Sequence, residues 1–135
     1  ISPYNYKDGL IYIDKEKEDG KFYESKMLWA MGNYSRFIQP GFHRLGVEIN
    51  SQKHQSPELL VSAYQSPDQR EVVLVLVNSR LNDMNVKLSV KGIPSSIKSL
   101  YITSKEKDLE AVEMDASETN IAIPARSIVT VLTQK

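Results

Sequence analysis

No cysteine occurs anywhere in the 135 residues. That removes a disulfide framework and any thiolate metal centre. Net charge is missing too, since 17 Lys and Arg offset 17 Asp and Glu. A nucleic-acid binder would show a basic stripe, and a membrane-surface module a polybasic run. No apolar stretch approaches the roughly 18 residues of a membrane-crossing helix. The longest, residues 72–77, is strand-sized. The glycines, six in all, stand singly among turns, so no Gly-rich phosphate loop is available. A G-x-S-x-G nucleophile elbow is absent as well. The two histidines, His43 and His54, lack a third ligand at metal spacing. Neither a metal nor a cofactor is expected.

What is present begins with a helix. Tyr23, Met27, Met31, Tyr34 and Ile38 recur at spacings of four, four, three and four, the period of one helical face. Ser25 stands where an N-cap hydroxyl can accept a bond from the first turn. Pro40 turns Gln39 out of helical geometry and Gly41 tolerates the turn that follows. These signals predict one helix over about 25–38. Polar Lys26, Asn33 and Arg36 fall away from the apolar stripe. Asn33-Tyr34-Ser35 is formally a glycosylation sequon, but a helix interior makes it a poor acceptor.

After residue 41 the pattern changes to strands. Expected strands cover 43–49, 59–65, 71–78, 85–90, 97–103, 109–114, 119–123 and 127–133, separated by segments rich in turn formers. Residues 72–77 are too apolar for a one-sided strand and suit a central one buried on both faces. The pattern predicts a mainly β fold, a Greek-key β-sandwich of about eight strands preceded by one α-helix. A further short strand is expected at 10–13, followed by a solvated charged loop at 14–20. The first residues, ISPYNYKDGLIYIDK, read as the middle of a domain, which predicts a piece of a longer polypeptide.

The stretch LWAMGNYSRFIQPGFHRLGV resembles the junction of glycoside hydrolase family 30, where the last helix of a (β/α)8 barrel runs into a side β-sandwich. Gly32, Asn33, Ser35, Arg36, Phe37, Ile38, Pro40, Gly41 and Arg44 match that junction, and Gln39 departs from its common Arg. LLVSAYQ at 59–65, VVLVLVN at 72–78, LYITSKEKDLE at 100–110 and IPARSIVTVL at 123–132 resemble successive parts of the same sandwich. The resemblance implies that residues 1–40 are the end of a barrel and 41–135 the sandwich. It also implies export to the periplasm, cell surface or medium.

Retaining glycosidases need two carboxyl groups about 5–5.5 Å apart. By the resemblance both come from barrel strands upstream of this sequence, so the chain alone is expected not to be an enzyme. The partner implied is its own catalytic barrel, with Met27, Met31, Tyr34 and Ile38 as the interface. Tyr4 and Tyr6, leaving the mouth of that barrel, are candidates to line the edge of a polysaccharide cleft. Trp29 is expected to be packed, and Tyr64 and Tyr101 to sit in the core or in cross-strand pairs. Two further readings stand beside the accessory one. A carbohydrate-binding module for the parent's β-glycan would show an exposed aromatic strip on a sheet face. An oligomerisation sandwich would bury the helix stripe against a second copy. In the absence of a barrel, the stripe is expected to fold back on the sandwich or to pair with another chain.

Overall fold

The computed structural model describes residues 9–13, 18–49, 59–89, 96–113 and 120–134. A short antiparallel ribbon comes first, β1 (Ile11–Ile13) with β2 (Phe22–Glu24), and leads straight into helix α1 (Lys26–Ser35). Eight strands follow among the described residues. These are β3 (His43–Leu45), β4 (Leu59–Gln65), β5 (Glu71–Asn78), β6 (Met84–Lys87), β7 (Ser96–Thr103), β8 (Glu110–Val112), β9 (Asn120–Ile123) and β10 (Ser127–Gln134). Six form one antiparallel sheet in the order β3-β4-β5-β10-β7-β8, and β6 pairs with β9 in a second. The chain crosses between the sheets, as a β-sandwich requires.

The apolar pattern explains the layers. Alternate residues of a strand point to opposite faces. Val61, Leu76, Val129 and Ile102 therefore form one row across the large sheet, and Ala63, Leu74, Val131 and Leu100 the next. Both rows face the small sheet, which contributes Ile121 and Ile123, and together they make the core. Burying each such side chain is worth about 1.5–3 kcal/mol. β5 lies between β4 and β10 and is buried on both faces, as its unbroken apolar run requires.

The opposite face of the large sheet carries α1, which packs on β7 and β10. Two rows on that face matter. One runs Thr103, Ile128, Val77, Leu60 and the other Tyr101, Thr130, Val75, Ser62. The helix covers the Thr103 and Thr130 side, while Leu60 on β4 is 59% exposed.

Several boundaries differ from the sequence expectation. β3 stops at Leu45 and leaves Val47 and Ile49 exposed, because this edge strand has one partner and Gly46 follows it. Leu109 lies outside its expected strand, with φ +53° in the left-handed region. Tyr23 belongs to β2, paired with Tyr12, and not to the helix. Ser25 is the N-cap residue but caps nothing with its side chain; its hydroxyl donates to the Leu10 carbonyl at 3.0 Å, tying helix to ribbon. Helix-type bonding continues past Ser35 as far as Ile38, whose N–H donates to the Tyr34 carbonyl at 2.9 Å.

A two-faced helix and its neighbouring groove

Helix and sandwich meet at Gly32 and Asn33. A Cβ on Gly32 would lie 3.0 Å from Leu109 Cδ2, so glycine permits the close approach. Asn33 is fully buried. Its Nδ2 donates to Thr103 Oγ1 at 2.6 Å and to the Trp29 carbonyl at 2.9 Å. The Thr130 hydroxyl lies 2.8 Å from the Asn33 carbonyl and 2.9 Å from Oδ1, sharing its proton between them. Thr103 Oγ1 also accepts from the Leu109 N–H at 3.1 Å. Every member is satisfied, which a buried polar group requires. Asn33 lies away from the methionine stripe, as its place on the wheel requires, and there it is the most deeply buried residue of α1.

The rest of the junction follows the same logic. Phe37 packs on Tyr101 with ring centroids 4.6 Å apart, and the Arg36 guanidinium lies 5.3 Å from the Tyr101 centroid. Gly41 has φ +93°, a turn that strains other residues, and its Cβ position lies 3.3 Å from the Pro67 ring. At the far end, Asn78 Nδ2 contacts the carbonyls of Asn82, Ile123 and Pro124. That holds the turn of the PARS segment, where Arg126 sits at φ +47°.

The other side of α1 has no such partners. Met27 is 45% and Met31 51% exposed, whereas Tyr34 and Ile38 are half-buried. The two methionines do not fold back on the sandwich. Ile11 and Ile13 on the ribbon add further exposed apolar surface. Tyr4 and Tyr6 lie outside the described residues.

A separate groove of about 410 Å3 opens where β2, the first turns of α1 and the β7–β8 turn converge. Phe22, Tyr23 and Trp29 line it together with Glu24, Lys26 and Asp108. Lys26 Nζ pairs with the Asp108 carboxylate and lies 3.3 Å from the Lys107 carbonyl. Sequence reasoning missed this site, because the residues forming its opposite wall are about eighty positions apart.

Asp68 is held below its ordinary 3.8, first by the Ser66 hydroxyl donating at 2.6 Å and then by the Arg70 N–H. That favours the ionised form, opposite to the raised value a glycosidic acid needs. Among the described residues, no helix is long and apolar enough to cross a membrane.

Residues 44–131 match the model of the glycosyl hydrolase family 30 beta sandwich domain. The chain is 28% identical over 122 residues to the glucuronoxylanase XynC of Bacillus subtilis, a match covering 88% of this chain and 27% of that protein. The glycoside hydrolase family 30 subfamily 8 xylanase Xyn30A of Clostridium acetobutylicum superposes with a TM-score of 0.72 at 24% identity, covering 84% of this chain and 29% of that one. A conserved exported protein from Bacteroides fragilis superposes with a TM-score of 0.67 at 28% identity, covering 83% of this chain and 22% of that one. The chain spans 27% of the length of the curated relative and a similar share of the solved ones.

Proposed function

The chain belongs to the glycoside hydrolase family 30 β-sandwich domains, and from that premise we propose that it braces a catalytic (β/α)8 barrel in a secreted, retaining, xylan-degrading enzyme. The observation that carries this reading is the two-sidedness of α1. One side is locked to the sandwich through Gly32 and Asn33, and the other presents Met27 and Met31 to solvent. A helix so divided is the shared element between two bodies. In this reading Met27, Met31, Tyr34 and Ile38 pack against the barrel, which supplies both catalytic carboxylates. The glucuronoxylanase and xylanase relatives favour xylan as the substrate class.

The experiment is to mix the chain with a family 30 barrel produced without its own sandwich. The chain alone releases no sugar from glucuronoxylan. With the barrel it forms a complex in sedimentation velocity, and Met27→Lys with Met31→Lys abolishes it. A wild-type chain that ignores the barrel and instead dimerises through the same stripe would overturn the reading. A binding-module role gains no support from the sandwich faces. The exposed aromatics among the described residues are Phe22 and Tyr23, both on the ribbon.

A further inference from the structure

Asn33-Tyr34-Ser35 is the single N-x-S/T sequon of the chain, and its asparagine is the side chain that locks helix to sandwich. An N-linked glycan is carried on Nδ2, where it replaces one of the two amide protons. Both protons are already in use, one toward Thr103 Oγ1 at 2.6 Å and one toward the Trp29 carbonyl at 2.9 Å. On its other side the amide oxygen accepts from the Thr130 hydroxyl at 2.9 Å. The residue is fully buried, and next to it Leu109 Cδ2 lies only 3.0 Å from where a Cβ on Gly32 would stand. In the folded chain the sequon is closed to any transferase.

The nascent chain is different. The two hydroxyl partners of Asn33 lie 70 and 97 residues downstream. At a synthesis rate of about 5–20 residues per second, Asn33 waits about 5–20 s before Thr130 exists. Helix α1 has ten residues, and isolated helices shorter than about 12–15 residues are marginal in water. Until the large sheet forms, nothing holds the sequon in a helix or away from solvent.

We propose that Asn33 is a glycosylation site of the unfolded chain alone, and that a glycan on it and the native helix junction exclude each other. The co-reactants are an oligosaccharyltransferase and a lipid-linked oligosaccharide. The Asn33 amide nitrogen attacks the anomeric carbon, and a C–N bond replaces one N–H, whose proton passes to a base of the transferase. The bond from that carbon to the pyrophosphate oxygen breaks, and the polyprenyl pyrophosphate departs with the electron pair. A chain modified in this way loses one Nδ2 donation and has to fit a sugar where Thr103 and Trp29 stand, so α1 stays undocked. A chain that folds first is closed to modification from then on. The outcome is a race between transfer and completion of the large sheet. It rests on the reading above only in needing export, which the test supplies.

The full 135-residue chain, behind a cleavable export leader, is translated in a cell-free system containing endoplasmic-reticulum vesicles. Ser35→Ala removes the sequon and keeps Asn33; Ser35 is exposed and its hydroxyl donates to the Met31 carbonyl at 3.1 Å, so the junction is spared. The wild-type chain should give a glycosylated fraction that grows when elongation is slowed, and Ser35→Ala should give none. Under limited proteolysis the glycosylated fraction should be digested while unmodified wild type and Ser35→Ala resist. Purified folded chain, offered the transferase and its lipid-linked donor, should stay unmodified. No glycosylation during translation, a glycosylated chain as resistant as the unmodified one, or modification of the folded chain each overturns the proposal. Barrel association is scored separately on the unmodified chain: failure to dock there sinks the bracing role and leaves the sequon result untouched.

Discussion

At the residue scale, the side chain that joins the two parts of the molecule is Asn33. Its amide makes three side-chain hydrogen bonds in a fully buried position, and its hydroxyl partners lie 70 and 97 residues downstream. Asn33→Ala deletes those bonds but leaves Thr130 the Asn33 carbonyl and Thr103 the Trp29 carbonyl. The expected loss is therefore about 1–3 kcal/mol in urea unfolding at pH 7. Asn33→Asp is the sharper test. It sets a carboxylate where Nδ2 donated to an oxygen, and burial raises its folded value above the unfolded value of about 3.9. The penalty is then absent below pH 4 and grows as pH rises. Asn33→Asp should match or exceed Asn33→Ala in damage at pH 7 and recover in acid, and a pH-independent deficit would contradict the buried network. Asp68 runs in the opposite sense. Its folded value is depressed by Ser66 and the Arg70 N–H, so its contribution is present above 3.8 and fades as pH falls below. The unfolding midpoints of wild type and Asp68→Ala should differ at pH 7 and converge below pH 3.8.

At the scale of elements, every strand but the ribbon strand β2 was legible, while the ends of the short ones were not. Residues 59–65 and 71–78 are strands as their apolar pattern and flanking turn formers require. The ribbon strand Phe22–Glu24 carries no alternation of its own and exists through pairing with β1. Leu109 was unreadable as a left-handed residue, since a leucine carries no local signal for that region, and its side chain lies against Gly32 of a helix more than seventy residues upstream. The helix itself was legible, but the buried polar network on the side away from its stripe was not, since the partners of Asn33 lie 70 and 97 residues downstream. The groove was invisible for the same reason, being a product of long-range approach. The turn between β9 and β10 shows how one polar residue can set an element boundary. Asn78 spreads its two amide protons over three carbonyls while its Oδ1 accepts from the Arg80 N–H at 3.0 Å. Asn78→Ala takes a donor from three carbonyls, of which that of Pro124 keeps the Ser127 hydroxyl, and should cost about 1–3 kcal/mol. Asp83→Ala removes a single bond, to the Ala125 N–H, in an exposed setting and should cost less than half as much in the same denaturation assay.

At the scale of the whole molecule, the question is whether one apolar stripe suffices to hold a barrel. Burying Met27, Met31, Tyr34 and Ile38 is worth about 1.5–3 kcal/mol each for side chains wholly exposed beforehand. Met27 and Met31 start 45% and 51% exposed and Tyr34 and Ile38 less so, and the gross gain is therefore about half that ceiling for the methionines and lower for the other two. Association of separate bodies costs about 4–15 kcal/mol in lost freedom. Between separate chains the margin is thin, and weak, concentration-dependent association is the expected result. Joined in one polypeptide, the same contacts form at an effective concentration in the millimolar range or above, and the margin becomes ample. The bracing role therefore predicts a particular calorimetric behaviour. In an intact enzyme carrying this domain, barrel and sandwich should melt together in one transition. Met27→Lys with Met31→Lys places two ammonium groups against the barrel and should split that melt in two. In the isolated 135-residue chain the same pair, exposed already, should shift stability by no more than about 0.5 kcal/mol. Two transitions in the unsubstituted enzyme would mean that the stripe is no interface, and the exposed methionines would need another occupant.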